Sequence, residues 1–210
     1  MLEHAYNRYK FMEASFFTRH PLAKDLFSLF IFVVCVLIGT IIINSFVFRS
    51  YNVVGPSMET TMYTGNRLIV NRLPVTWSAV QGKSYIPERG QIIVFKNPRY
   101  HQGVEDEFIV KRVIAFPGER VVLADGHYTV YNALHPTGFN PDDDNNGEPG
   151  SPTTGEVDEV VPEGELFVSG DHRTGSFSFD SRNGLGTIPF YDVIGPVAFR
   201  IFPFDEIRSF

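Results

Sequence analysis

Residues 26–48 read LFSLFIFVVCVLIGTIIINSFVF, a run of 23 residues without a charged side chain. A helix of this length spans about 34 Å, which exceeds the roughly 30 Å of a bilayer's hydrocarbon core. A cleaved signal peptide would have a shorter apolar segment followed by small residues, and residues 44–49 offer no such site. The run therefore predicts a transmembrane helix over residues 26–48 that remains in the protein as its anchor.

The charges that flank this segment predict its orientation. Only Arg49 follows it closely, whereas four basic residues precede it: Arg8, Lys10, Arg19 and Lys24. Because basic residues concentrate on the cytoplasmic side of membrane proteins, we expect residues 1–25 to form a cytoplasmic tail. Residues 49–210 then form an extracytoplasmic domain, and the protein is a single-pass protein of the plasma membrane.

Charge and cysteine content argue against several classes of protein. The chain has 24 acidic and 18 basic residues and a net charge of −6, which argues against nucleic-acid binding as its main function. Its one cysteine, Cys35, lies in the predicted helix, so an internal disulfide framework and a cysteine-based zinc site are excluded. We expect no cofactor and no metal, and a monomeric protein.

Beyond the anchor, short apolar segments alternate with turn residues. The candidate strands are rich in β-branched and aromatic side chains and are bounded by Gly, Pro or Asn. They comprise residues 67–71, 91–95, 108–114, 120–123, 127–131, 166–168 and 193–202. No further helical periodicity is found. The pattern predicts a mainly β fold, a partly closed antiparallel β-barrel or sandwich after one N-terminal transmembrane helix.

Residues 140–165 differ in composition from the rest of this domain. They carry nine acidic residues and no Lys or Arg, which is typical of an acidic, mobile surface loop inserted in the domain. Residues 142–147, DDDNNG, also match the opening half of a calcium-binding loop. The glutamate expected at the twelfth position of such a loop is Thr153, so calcium binding is the weaker alternative.

Two polar residues are candidates for catalysis. Ser57 follows Gly55-Pro56, a pattern that by itself indicates a turn. Lys111 shares one strand face with Ile109 and Val113, and its simplest interpretation is a charge that protects an edge strand from aggregation. The functional alternative is a lysine whose pKa is lowered by burial, so that its amine can act as general base for a serine.

Four blocks of the sequence, in order, resemble those of bacterial type I signal peptidases. Residues 57–62 (SMETTM) are similar to the family pattern S-M-x-P-T-L, and residues 89–95 (RGQIIVF) to R-G-D-I-V-x-F. Residues 109–119 (IVKRVIAFPGE) match Y-I-K-R-V-x-G-x-P-G-D. Residues 170–173 (GDHR), followed by 178–182 (SFDSR), match G-D-N-R-x-x-S-x-D-S-R. The resemblance covers nearly the whole chain.

This resemblance implies a membrane-anchored serine endopeptidase that removes signal peptides from exported preproteins. Cleavage would follow a small-x-small site, with Ser57 as nucleophile and Lys111 as general base. Ser178 would hydrogen-bond the lysine and orient it, and Asp180 and Arg182 would form a supporting ion pair. The partners implied are signal peptides of preproteins delivered by the export machinery.

The resemblance also implies how the substrate is held. Met58 and Val110 flank the serine–lysine pair and are expected to line a shallow pocket for a small residue. The Ser57 backbone N–H would stabilise the oxyanion. Some family members add a serine hydroxyl at the position of Gly55, so a backbone donor or water must take its place here.

Several positions depart from the family pattern. Thr60 replaces a proline and His172 an asparagine. Four residues, 174–177, stand where the family has two, which makes Ser176 an alternative to Ser178 as the residue that orients the lysine.

The bilayer is the second expected partner of the extracytoplasmic domain. Ser57 is nine residues past Phe48, so even an extended linker keeps the serine within about 30 Å of the membrane. Aromatic residues that favour the membrane interface could dock the domain on lipid, although core packing is the alternative for them. They are Trp77, in a predicted loop, and Phe199, Phe202 and Phe204.

Two other functions compete with this interpretation. A Ser–His–Asp hydrolase could use His172 with Asp171 or Asp180, but the sequence has no G-x-S-x-G motif. A catalytically degenerate, membrane-tethered β-domain that acts as a binding module is the second alternative, supported by Thr60 and the longer loop.

Overall fold

The computed structural model of the chain describes residues 20–103, 106–143, 149 and 152–210. It divides into two compact units, of which the first ends at Asn44 and the second comprises Ser45–Phe210. The first unit contains the apolar helix and the second contains all of the strands.

The apolar helix, α1, spans Pro21–Ile42 and continues as a π-helical turn over Ile43–Val47. Proline suits its first turn, because the N–H that proline lacks would have no partner there. None of its residues is buried, and the helical segment Pro21–Val47 is long and apolar enough to cross a membrane. The helix therefore starts five residues before the predicted segment, and Phe48 is already the first residue of a strand.

The second unit contains eleven strands among the residues that the structure describes. They are β1 (Phe48–Asn52), β2 (Arg67–Asn71), β3 (Ile92–Lys96), β4 (Phe108–Ala115), β5 (Arg120–Ala124), β6 (His127–Tyr131), β7 (Val157–Val160), β8 (Glu165–Ser169), β9 (Ile188–Pro189), β10 (Val193–Phe202) and β11 (Arg208–Ser209). All seven predicted strands form, and they pair in antiparallel fashion. The mainly β prediction is confirmed.

The strands form two sheets. The larger one follows the order β1-β2-β10-β3-β4-β8-β9, with β11 paired to β10, and curls into a half-barrel. The smaller one has the order β6-β5-β7. Strands β1 and β9 form the two edges of the larger sheet, and β4 lies inside it, where residues 111–115 are all buried. Such a strand contributes side chains to the packing on both of its faces.

Three apolar clusters fill the second unit. The first packs Met58, Met62 and Leu68 against residues of β3 and β10, and the second joins β3, β4 and β8 around Phe95. The third surrounds Phe167 between β4, β5 and β6. Because β4 contributes to the second and third clusters, it is fixed on both sides, and so is the lysine at its centre.

One helix in the second unit was not predicted. Residues Leu73–Val80 form α2, with Pro74 in its first turn. Trp77 lies on this helix, so its predicted place in a loop is wrong. Eight residues are too few to give a clear helical period in the sequence, which is why the pattern was missed.

The acidic segment is more structured than expected. Its residues Val157–Val160 form β7 beside β5, so the prediction of a loop through residues 140–165 is wrong at this point. Both carboxylate oxygens of Asp142 accept hydrogen bonds from Arg173, at 2.5 and 2.7 Å. That pairing leaves Asp142 little capacity for calcium, and residues 144–147 of the proposed calcium loop lie outside the described residues.

The Arg173–Asp142 pair provides a test of this packing. Both side chains are buried, with 2% and 10% of their surfaces exposed. Replacing one member of a buried pair leaves the other charge unpaired, so Asp142→Asn should lower the free energy of unfolding by about 3 kcal/mol. Thermal unfolding in detergent, followed by near-ultraviolet circular dichroism, measures this loss.

The matched control is Asp158→Asn. Asp158 pairs with Arg120 at 2.6 Å, but these side chains are 58% and 51% exposed. Its removal should leave the unfolding midpoint unchanged, because exposed pairs are hydrated in both states. Equal stability of the two variants would contradict a structural role for the buried pair.

Candidate active site

Ser57 and Lys111 come together although 54 residues separate them in the chain. Ser57 lies on a turn that follows β1, where the Glu59 N–H donates to the Pro56 carbonyl at 3.0 Å. Lys111 is in β4 and pairs in register with Ile93 of β3. The Lys111 Nζ lies 2.7 Å from the Ser57 Oγ, which is hydrogen-bonding distance.

The Lys111 side chain is enclosed by the protein. The residue is 2% exposed, and its Nζ also donates to the Val110 carbonyl at 2.9 Å. No carboxylate pairs directly with it among the described residues. Burial lowers the pKa of Lys111 from 10.5 to about 8, although the charges of Asp180, Asp171 and Asp106 oppose this shift. A substantial fraction of the amine is therefore unprotonated near pH 8 and can accept the serine proton.

The loop after β8 supports the turn that carries Ser57. The His172 backbone N–H donates to the Ser57 carbonyl at 3.1 Å. Asp171 is held by Arg112, with hydrogen bonds of 2.8 and 2.6 Å, and it accepts a third hydrogen bond from Thr61 at 2.6 Å. Arg112 thus ties β4 to this loop. Arg112, Asp171 and Thr61 lie in the matched sequence blocks. Sequence reasoning gave Arg112 and Thr61 no role in the site and considered Asp171 only for the Ser–His–Asp alternative.

Asp180 and Arg182 form the expected ion pair, at 3.3 Å, and both side chains are buried. The Asp180 carboxylate also accepts from the Gly170 N–H at 2.9 Å. Arg182 donates to the His172 and Arg173 carbonyls. The pair therefore fixes the backbone of residues 170–173.

Ser178 lies at the site, but the expected hydrogen bond to Lys111 is absent. The residue is fully buried, and its Oγ has no hydrogen-bond partner among the described residues. It packs against Gly170, where an added Cβ would overlap both the Ser178 Oγ and the Ser57 carbonyl. Ser176 is exposed. Burial beside the Ser57 turn favours Ser178 over Ser176, while its role in orienting the lysine remains a prediction.

A cleft of about 680 Å³ leads to Ser57 and Lys111. It is lined by residues 51–57 and by residues 108–111 of β4, including Val110 as predicted. Met58 does not line it. That prediction is wrong, because Met58 points into the first apolar cluster and is fully buried. Phe177 and Phe179 also line the cleft, and sequence reasoning missed both.

The position of His172 argues against a Ser–His–Asp arrangement. Its Nδ1 lies 3.1 Å from the Pro56 carbonyl oxygen, and its ring stacks on Phe177 with centroids 4.7 Å apart. The group that hydrogen-bonds the Ser57 Oγ is the Lys111 amine. The site can therefore activate a serine hydroxyl with a lysine and without a histidine.

The lowered pKa of Lys111 predicts a stability cost that depends on pH. Between about pH 8 and 10.5 the unfolded chain binds more protons than the folded one. The destabilisation of the folded protein is therefore largest below pH 8 and decreases as the pH rises towards 10.5. Lys111→Met should therefore be more stable than the wild type at pH 7, by up to about 3 kcal/mol, and this gain should shrink towards pH 10.5. Thermal unfolding across this pH range measures the difference.

Lys96→Met is the control for this experiment, since Lys96 is an exposed lysine on the neighbouring strand β3. It should change stability little at any pH in the range. A Lys111→Met variant that is less stable than the wild type at pH 7 would show that burial of the lysine does not destabilise the folded protein.

Several known proteins are similar to this chain in sequence. The family model described as "Signal peptidase, peptidase S26" matches residues 24–202. A Bacillus licheniformis protein named signal peptidase I is 35% identical over 193 residues, which cover 87% of this chain and 93% of that protein. The Bacillus subtilis (strain 168) protein named signal peptidase I T is 34% identical over 183 residues, covering 84% of this chain and 85% of the relative.

One similar solved structure is a signal peptidase I from Enterococcus faecalis V583. It is 27% identical and covers 53% of this chain and 96% of that chain, with a TM-score of 0.39. The family assignment does not depend on this structure, because the family model spans most of the chain and the relatives match along nearly their whole length. The chain belongs to the signal peptidase family, peptidase S26.

Proposed function

We propose that this signal peptidase is a membrane-anchored serine endopeptidase in which Ser57 is the nucleophile and Lys111 the general base. The 2.7 Å contact between the Ser57 Oγ and the buried Lys111 Nζ carries this proposal. A buried amine with a pKa of about 8 can take the serine proton at moderately alkaline pH, whereas an exposed lysine would remain charged.

The cleft suits an extended peptide. The outer edge of β1 has no neighbouring strand among the described residues, and β8 pairs with β4 only from Arg112 onward. Residues 108–111 of β4 therefore have no strand partner on this side, where the Val110 carbonyl is bound by the Lys111 amine, and a substrate could add beside them as a strand. Along such a strand every second side chain faces the same wall. Two small residues with one residue between them fit a wall formed by Val53 and Val110, which supports a small-x-small cleavage site.

The reaction follows from these positions. The Ser57 Oγ attacks the scissile carbonyl while Lys111 takes its proton, and the C–N bond then breaks as Lys111 protonates the leaving amine. Water, activated by the same amine, releases the signal peptide from Ser57. The Ser57 N–H is available for the oxyanion, since it makes no hydrogen bond among the described residues. The Gly55 N–H is not a second donor, because it donates to Thr64 at 3.0 Å.

Ser57→Ala and Lys111→Ala should each abolish cleavage of a preprotein with an A-x-A site. The first variant removes the attacking oxygen and the second removes the group that accepts its proton. Full-length protein in detergent, mixed with the preprotein and followed by gel shift of the product, measures cleavage. In the wild type the rate should rise towards pH 8 and above, because the neutral amine of Lys111 is the active form.

The control is Lys96→Ala, which should cleave at the wild-type rate. Cleavage by Lys111→Ala would refute the proposed base. If the wild type bound the preprotein without cleaving it, the alternative of a catalytically degenerate binding module would be favoured instead.

We further propose that α1 anchors the protein in the plasma membrane, with its N-terminus in the cytoplasm and residues 49–210 outside. Hydrogen bonds near the end of the candidate membrane span support contact between this domain and lipid. The Thr76 Oγ1 of α2 donates to the Phe46 carbonyl at 2.9 Å, and the Arg72 N–H donates to the Val47 carbonyl at 2.8 Å. Phe46 and Val47 belong to the second unit, so helix α2 starts beside the residues with which this unit begins, and its Trp77 is 66% exposed.

Trp77 is the only tryptophan and thus reports on this contact without substitution. In liposomes, its fluorescence should be quenched by lipids brominated near the headgroup, because an interfacial indole lies at that depth. Phe199, Phe202 and Phe204 are also exposed and extend the apolar surface. Emission that is quenched by iodide in the water and not by brominated lipid would contradict the docking of this domain on the bilayer.

A further inference from the structure

The ring of His172 contacts the peptide unit between Pro56 and Ser57 on its carbonyl side. The His172 Nδ1 lies 3.1 Å from the Pro56 carbonyl oxygen. Because a carbonyl oxygen can only accept, the ring nitrogen must carry the hydrogen in this contact. The same planar peptide unit contains the Ser57 N–H, which points away from the Pro56 carbonyl. The ring therefore contacts one end of the group whose other end is the oxyanion donor.

His172 is held by contacts of both its backbone and its ring. Its backbone N–H donates to the Ser57 carbonyl at 3.1 Å, and its carbonyl accepts from Arg182 at 3.1 Å. Phe177 stacks on the ring with an interplanar angle of 28°. The Glu59 carboxylate lies 3.7 Å from the Nδ1.

Two consequences follow for the Ser57 N–H. A hydrogen bond to the carbonyl of a peptide unit polarises that unit and makes its N–H a stronger donor. Together with the Glu59 N–H, which donates to the same carbonyl at 3.0 Å, this bond fixes the plane of the peptide and hence the direction of the Ser57 N–H. Preorganised donors of this kind stabilise the oxyanion without reorganising during the reaction.

We propose that His172 is a positioning residue that orients and polarises the Pro56–Ser57 peptide unit for the oxyanion. This inference rests on the proposed function of Ser57 as nucleophile. His172 takes no proton from Ser57, whose Oγ is bound by Lys111. Phe177 belongs to the segment of residues 174–177, which is longer than the family pattern, and it holds the ring in place.

Two substitutions separate the hydrogen bond from the packing of the ring. His172→Phe keeps an aromatic ring for stacking on Phe177 but removes the donor, whereas His172→Asn keeps a donor and removes the ring. Losing an oxyanion donor costs about 10²–10³ in kcat, and losing only its alignment should cost about tenfold. We therefore expect kcat to fall about tenfold in His172→Phe with KM nearly unchanged, and to stay near the wild-type value in His172→Asn.

Inhibitor binding provides a readout that a purely structural role would not move. A peptide aldehyde with a small-x-small sequence adds the Ser57 Oγ to its carbonyl carbon, and the carbonyl oxygen then takes the place of the oxyanion. Its affinity should fall in His172→Phe by the same factor as kcat. A non-cleavable peptide of the same sequence should bind equally well to the wild type and the variant, because it forms no oxyanion.

His135→Phe is the matched control, since His135 also packs against a phenylalanine, Phe139, with centroids 4.9 Å apart. It should leave kcat and aldehyde affinity unchanged. Wild-type kcat in His172→Phe, or an equal loss of affinity for aldehyde and non-cleavable peptide, would overturn the positioning role while Ser57→Ala remained inactive. Cleavage by Ser57→Ala would instead refute the proposed function itself.

Discussion

The contact between the Lys111 amine and the Ser57 hydroxyl is the interaction on which the rest of the site depends. An amine can serve as base only if it loses its proton near the working pH, and burial is what lowers its pKa. Burial requires a strand packed on both faces, and β4 in the middle of the larger sheet supplies it. The position of the lysine is therefore a consequence of the sheet order as much as of the local sequence.

Three buried carboxylates in and around the loop of residues 170–173 are each held by an arginine. Asp171 pairs with Arg112, Asp180 with Arg182, and Asp142 with Arg173. An unpaired carboxylate beside Lys111 would raise the pKa of the lysine, and the first two arginines limit this effect. These same ion pairs fix the loop of residues 170–173, which contacts the Ser57 turn. The same side chains therefore limit the effect of the carboxylates on Lys111 and hold the loop that contacts the Ser57 turn.

Much of this structure was predictable from local sequence. The seven strands are marked by β-branched residues and turns, and the matched blocks identify Ser57 and Lys111. What could not be predicted depends on contacts between distant residues. Met58 is adjacent to Ser57 in sequence, but only the fold shows that it packs into a core cluster. Asp142 pairs with Arg173, 31 positions away. Strand β7 carries two acidic residues, which give its segment the composition of a loop. The hydrogen bond from His172 to Pro56 joins residues 116 positions apart, and neither segment has a sequence pattern that predicts it.

The account depends most directly on the protonation state of Lys111. Its pKa can be measured by titrating the side-chain amine by ¹⁵N NMR, with the Lys111→Met variant used to assign the signal. We expect one lysine signal to titrate at about pH 8 and to disappear from the spectrum of that variant. A Lys111 signal that titrates at the ordinary lysine value of about 10.5 would contradict the proposal that burial makes this amine the base.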